Sequence, residues 1–318
     1  MPTSPARKRR VSGPGLPPSK TMVVHSADGT RLHTEVFGPS NGYPIVLAHG
    51  ITCSLKVWHE QINDLSRDHR VIAYDHRGHG RSGVPGGAAY SLDHLAADLD
   101  AVLAAVLRRG ERAVVAGHSM GGIAISSWSD RFRHRVEQRV DAVALINTTT
   151  GDLLDKIQLL PVPGMFRATR VAAARTMIRS LGGAPLVAGT QPGSRLFLEL
   201  MAVGAGADPA ITRFLHDLFA ATPAAGRGAW ARVLVDEMGH RAHIDLSGLT
   251  VPTLVIGSTN DRLLPMSQAR KIAEAAPNLV ELVEMPGGHC AILEHPGDVN
   301  GHLRELVRVT ALAQRISS

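Results

Sequence analysis

The sequence predicts an α/β protein: a mostly parallel, doubly wound sheet with a helical insertion late in the chain. Three observations carry this expectation. Apolar runs of strand length ("PIVLAHG", "VIAYDHRG", "AVVAGHS", "DAVALINT") recur through the first half and resume near the end as "PTLVIGS" and "LVELVEM". The four runs of the first half alternate with segments of helical period, the signature of a parallel sheet with crossover helices. After Thr150 the strand rhythm stops for about ninety residues, replaced by Gly- and Pro-punctuated helical pieces. At 318 residues the chain has room for one large domain carrying such an insertion.

The elements follow in order. Residues 1–20 hold Arg7, Lys8, Arg9, Arg10 and Lys20 and no acid, which is most of the formal net charge of +6. This head is rich in Pro, Ser and Gly and too poor in apolar groups to offset its ordering entropy, so it reads as a disordered basic tail. Weak contact with an anionic membrane surface is its second reading, and no apolar h-region follows the arginines as an export signal would require. The first part of the core spans 21–150. It opens with "MVVHSADGTRLHTEVFG", two β segments joined at Asp28-Gly29 as a two-residue hairpin. Ser91 is an N-cap candidate for a helix that sets Leu92, Leu95, Leu99, Val102, Leu103 and Val106 on one face and ends at Gly110. The insertion covers 151–240 and contains "MFRATRVAAARTMIRSLGG" and "ITRFLHDLFAA". The second part of the core, 241–318, closes with an amphipathic helix from Val299 to about Gln314.

Within this frame Ser119, in "AVVAGHSMGGIA", stands where a buried strand gives way to a helix beginning near Met120. Ligands bind at the carboxyl edge of open α/β sheets. Gly117 and Gly121 flank the serine where side chains would collide, so the tight turn projects its hydroxyl outward. A serine hydroxyl is a weak nucleophile and needs a base and a group to orient that base. His289, in "VEMPGGHCAILEHP", and Asp261, in "LVIGSTNDRLLP", each follow a strand-like run, and the order Ser, Asp, His suits this topology. The oxyanion formed on attack needs two donors: the backbone N–H of Met120 and that of Ile51, behind His49-Gly50. His49 itself reads as a loop-packing residue.

The stretches "HGIT" (49–52), "DHRGHGRS" (75–82), "GHSMGG" (117–122), "GSTNDRLLP" (257–265) and "GGH" (287–289) together resemble the α/β-hydrolase-fold superfamily, in particular serine hydrolases of the esterase and lipase type. The resemblance implies that the insertion is a helical cap over Ser119 and that Asp75 belongs to a structural loop. Members that open epoxides or cleave carbon–halogen bonds carry Asp at the nucleophile position, and Ser119 argues against both chemistries. The expected substrate is a small-molecule, lipid-like carboxylic ester with an apolar acyl part. A carbon–carbon bond hydrolase of a ring-cleavage diketone, thioester or lactone cleavage, and a non-catalytic ligand receptor are the alternatives.

No cofactor or metal is expected: no His/Cys cluster has zinc spacing, and no phosphate-binding glycine pattern follows a strand. Nucleic acid is not an expected partner, since the basic head lacks interleaved aromatics. Cys53 and Cys290 form no disulfide framework; they read as buried, inert residues, with a pocket contact or redox pair as the alternative. No apolar stretch reaches the roughly 18 residues of a membrane span, so a cytoplasmic location is expected. Leu159, Leu160, Met165, Phe166, Phe197, Leu200, Met201, Phe214, Leu218 and Phe219 are candidates for an acyl pocket, though most such residues hold a cap to its base. Arg167, Arg170, Arg175 and Arg179 share no clean helical face and read as solvated surface.

Overall fold

In the computed structural model the strands are β1 (Ser19–His25), β2 (Arg31–Phe37), β3 (Pro44–Ala48), β4 (Arg70–Tyr74), β5 (Ala113–His118), β6 (Val140–Ile146), β7 (Thr253–Ser258) and β8 (Leu279–Met285). They form one sheet in the order β1-β2-β4-β3-β5-β6-β7-β8. The strands from β3 to β8 run parallel, and β2 is antiparallel to both its neighbours. The described residues are 15–153, 167–181, 183, 199, 201–204, 206–239 and 243–317.

The continuous apolar runs of β3 to β7 are explained by helices on both faces, whereas β8, at the sheet edge, is largely exposed. In β3, Ile45 and Leu47 face one layer with α1 (His59–Leu65) and the last helix, while Val46 and Ala48 face the other with α2 (Leu92–Val106) and α3 (Met120–Arg131). Burying every side chain of such a strand contributes about 1.5–3 kcal/mol for each large aliphatic residue. Ser91 caps α2 as expected from its short polar side chain, accepting the His94 amide at 3.1 Å.

Four boundaries differ from the sequence reading, the first being the end of the basic head: Ser19 and Lys20, counted in it, already pair with Phe37 and Val36 in β1. The β1–β2 connection is a three-residue loop, Ala27 to Gly29, flanked by the bonded pair Ser26 and Thr30. Gly29 sits at φ 82, the left-handed position that such a loop requires, so Asp-Gly marked the hairpin but not its length. Helix α2 stops at Val106, and Gly110 instead supplies a positive φ in the turn after it. The closing helix is longer than expected, Pro296–Ser317, with proline at its first position where no N–H is needed.

Between β6 and β7 lie α4 (Arg167–Leu181), α5 (Pro209–Ala221) and α6 (Ala224–Glu237). The two ends of this insertion meet: Gly151 and His243 form an isolated antiparallel bridge, and the Ile244 amide donates to Thr150 O at 2.8 Å. Helix α5 sets Leu215 and Leu218 into the same apolar cluster as Trp58 and Ile62 of the core. Trp230 of α6 donates its indole N–H to Arg77 O at 2.9 Å. Arg77 is itself buried, paired with Asp98 of α2 and with Asp28. At the N-terminal edge of the parallel strands a cavity of about 1080 Å³ opens, with Glu111, Arg112, Glu137 and Asp141 among its lining residues. No described helix is long and apolar enough to cross a membrane.

Candidate active site

Ser119 occupies the single residue between β5 and α3, with φ 54 and ψ −119, a conformation that non-glycine residues rarely adopt. The surrounding chain over-determines it. Its N–H donates to Ile146 O at 3.0 Å and its carbonyl accepts the Thr148 hydroxyl at 2.7 Å. A Cβ on Gly121 would lie 2.0 Å from Ala48 O, and one on Gly117 would lie 2.4 Å from the Gly121 backbone, so both flanking glycines are sterically required.

His289 follows β8 and Asp261 follows β7, on the edge where Ser119 ends β5. The structure brings these two together: His289 Nδ1 lies 2.8 Å from Asp261 Oδ2, with both side chains buried. The carboxylate also accepts the Leu263 and Leu264 amides on Oδ1, at 2.9 and 2.8 Å, and Asn147 Nδ2 on Oδ2 at 3.1 Å. Four donors thus hold it in one orientation. An acceptor at Nδ1 assigns the proton of the neutral ring to that nitrogen and leaves Nε2 free to take a proton. His118, the residue before Ser119, donates Nε2–H to His289 O at 2.8 Å, and the two rings lie 5.0 Å apart. Among the described residues the Ser119 hydroxyl and the His289 ring share no hydrogen bond. Such contacts commonly tighten only once substrate is bound.

The histidine loop is pinned from behind. Glu294 accepts the Gly288 amide at 3.0 Å and the Gly204 amide at 2.8 Å, and the Cys290 amide donates to Ala202 O at 3.1 Å. Residues 201–204 of the insertion therefore rest directly on the segment that carries His289.

Opposite lies the loop after β3. Ile51 sits in a turn closed by the Cys53 amide on Gly50 O at 3.4 Å, and Met120 is the first residue of α3. Among the described residues neither the Ile51 nor the Met120 amide has a protein acceptor, and the first N–H of a helix lacks one by construction. The positive end of α3 adds its dipole at the same point. His49 is fully buried, donating Nδ1–H to Gly50 O at 2.7 Å and accepting the His76 amide on Nε2 at 3.0 Å. Burial holds its pKa well below the usual imidazole range. Asp75 accepts the Leu55 and Arg81 amides at 2.7 and 2.8 Å, tying two loops together, and burial raises its pKa.

Cys53 and Cys290 are free and buried; burial pushes the Cys53 thiol up to about 12 and the Cys290 thiol well above its ordinary value. Of the candidate acyl-pocket residues, Met201 and Leu218 are buried and Phe214 packs against the core cluster. Phe219 lies under the Arg227 guanidinium. Leu159, Leu160, Met165, Phe166, Phe197 and Leu200 lie outside the described residues, as do the side chains of Arg167 and Arg170. Arg175 and Arg179 both pair with Asp236 at 3.1 Å and are about half exposed.

Sequence reasoning missed Asn147, Thr148 and Glu294. The first two directly follow β6 on the same edge, a positional signal as good as that of Asp261, and their side chains hold Asp261 and the Ser119 carbonyl in place. Asn147 also has a positive φ of 44.

Comparison with known proteins gives the same fold. The family model for the alpha/beta hydrolase fold matches residues 43–296. A non-heme chloroperoxidase from Streptomyces lividans is 43% identical over 101 residues, which is 31% of this chain and only 36% of that protein. A putative carbamate hydrolase RutD from Variovorax paradoxus (strain S110) is 28% identical over 88% of this chain and 97% of its own length. Among solved structures, the enol-lactonase from Burkholderia xenovorans LB400 superposes with a TM-score of 0.65 at 25% identity, covering 90% of this chain and all of that one. With the sheet order, the strained Ser119 turn and a family match over most of its length, the chain belongs to the alpha/beta hydrolase fold family.

Proposed function

We propose that the protein is a serine hydrolase that cleaves a carboxylic ester with an apolar acyl part through an acyl-enzyme intermediate. The observation that carries this reading is the buried 2.8 Å contact between His289 Nδ1 and Asp261, on the edge where the β5–α3 turn presents Ser119. His289 Nε2 takes the Ser119 proton as Oγ bonds to the ester carbonyl carbon. The carbonyl π pair moves to oxygen, where the Ile51 and Met120 amides stabilise it. Collapse of this intermediate breaks the carbon–oxygen bond to the alcohol, which leaves with the proton from His289. Water then attacks the acyl-serine in the same way, its proton passing through His289 to Ser119.

The surroundings favour an apolar acyl group. Ile51 packs against a cluster containing Met120, Trp230, Val233 and Leu234, and Leu153 and Leu263 pack against Met201 and Val235. Lactones and carbamates, the substrates that the names of two similar proteins imply, also present an acyl carbonyl to attack. A fluorophosphonate should label Ser119, and kcat/KM over a series of p-nitrophenyl esters should rise about fourfold per acyl methylene until the site is full, following about 0.8 kcal/mol per buried CH₂. Labelling elsewhere contradicts the mechanism, a flat series contradicts the apolar acyl site, and strong preference for a dienol-type diketone would reassign the bond cleaved.

A further inference from the structure

The loop after β3 contains a residue in an unfavourable conformation. Thr52, next to Ile51, has φ 60, a left-handed backbone in which β-branched side chains are rarely found. Something must hold it there. Its amide donates to Nε2 of His79 at 3.0 Å, and His79 is 27 residues further along the chain. Nε2 accepts only if the ring proton sits on Nδ1, and Nδ1 lies 3.1 Å from Arg77 O, where it donates. That same carbonyl receives the Trp230 indole of α6.

Two further imidazoles complete the support. His49 Nδ1–H donates to Gly50 O at 2.7 Å, and His76 Nε2–H donates to His49 O at 3.0 Å. Backbone groups of residues 49, 50 and 52 are thus each tied to a different ring. All three rings are fully buried, and burial brings His79 down to about 4 and His76 to about 3, so both are neutral at neutral pH. The Ile51 N–H lies in the Gly50–Ile51 peptide plane, whose carbonyl His49 and the Cys53 amide hold, and the His79 bond fixes the next plane, Ile51–Thr52; without it that plane can turn to relieve the positive φ. The turn that orients Ile51 changes with it.

We propose that His79 is a positioning residue of the acyl-transfer site: by accepting the Thr52 N–H it keeps Thr52 in the left-handed conformation and so aims the Ile51 amide at the oxyanion. The proposal rests on the reading of Ile51 as an oxyanion donor. It accounts for a histidine, rather than any filler of that volume, as the second residue of "GHGRS".

The test compares His79→Phe, His79→Gln and the double variant Thr52→Gly/His79→Phe on p-nitrophenyl butyrate, with folding followed by thermal denaturation. Phenylalanine fills the site without an acceptor; glutamine restores one; glycine at 52 takes the left-handed conformation without strain. His79→Phe should lower kcat about 10- to 100-fold with KM within about twofold, and should weaken binding of a trifluoromethyl ketone, whose adduct carries the oxyanion, by a similar factor. His79→Gln should lose less, and the double variant should recover much of the loss. A folded His79→Phe with unchanged kcat, equal losses for Phe and Gln, or no recovery in the double variant would each overturn the proposal. If His79→Phe fails to fold, His79→Gln with and without Thr52→Gly makes the same comparison. Absence of Ser119-dependent turnover in the unsubstituted protein would instead strike the ester-hydrolase reading, and this proposal with it.

Discussion

The two edges of the parallel strands are built from the same chain in opposite styles. At the carboxyl edge stand Thr52, Ser119, Asn147 and Asp152, which are all the non-glycine residues of positive φ among those described. The amino edge has none of them, yet it opens the 1080 Å³ cavity. Its polar groups are mutually paired: Arg112 with Asp141 at 2.7 Å, Tyr43 with Asp141 at 2.7 Å, Thr250 with Glu137 at 2.7 Å. Volume alone does not tell the edges apart, since a second cavity of about 790 Å³, with Asn260, Pro286 and Gly287 among its lining residues, opens at the carboxyl edge. Backbone strain that the neighbours over-determine, rather than the size of a hollow, sets the carboxyl edge apart.

The largest effect that separates the edges is loss of the proposed nucleophile. Ser119→Ala should lower kcat for p-nitrophenyl butyrate by four orders of magnitude or more, while Arg112→Ala at the amino edge should leave kcat within about twofold. Comparable losses in the two variants would erase the distinction. Next comes a contrast between two buried carboxylates. Asp261→Asn should keep the fold and reduce kcat by about 10⁴, because the amide favours the wrong ring tautomer of His289. Asp75→Asn should act on the melting temperature, since Asp75 bonds to the Leu55 and Arg81 amides rather than to a ring. The reverse pattern would exchange their roles.

A smaller, graded effect tests the histidines packed beneath the carboxyl edge. His76, His79 and His118 are fully buried, and desolvation holds them at about 3, 4 and 3. Their folded values lie below the unfolded value of 6.5, so the unfolded chain binds more protons in acid. Stability is then complete above about pH 6.5 and falls as pH drops toward 4, by about 1.4 kcal/mol per pH unit for each ring. Urea denaturation at pH 7, 6 and 5 measures this; a flat profile between 7 and 5 would mean that these rings are not buried neutral.

The same contrast explains what could be read from the chain alone. Fully buried strands announce themselves as apolar runs, and Ser119 and Asp261 stand just behind two of them, β5 and β7, while His289 follows the largely exposed edge strand β8. Position along the sequence was enough for those. It was not enough for Asn147, which reaches Asp261 across 114 residues, or for His79, whose meaning depends on Thr52 lying opposite. Their roles are made by side-chain reach between loops, and no local period encodes that. The hairpin length and the end of α2 were misread for a simpler reason: Gly29 and Gly110 both signal a turn, but a glycine does not specify how many residues precede it.

The bridge between Gly151 and His243, with Ile244 bonded to Thr150, has a consequence for the history of such a molecule. Seen from the sheet, the chain leaves and returns at one spot, as if a short turn joined β6 to β7. The entropy of closing that loop grows only with the logarithm of its length, so the span can lengthen, shrink or be exchanged without disturbing the strand order beneath it. Changes in the span can therefore alter what lies against the His289 loop while the strands that present Ser119, Asp261 and His289 keep their order.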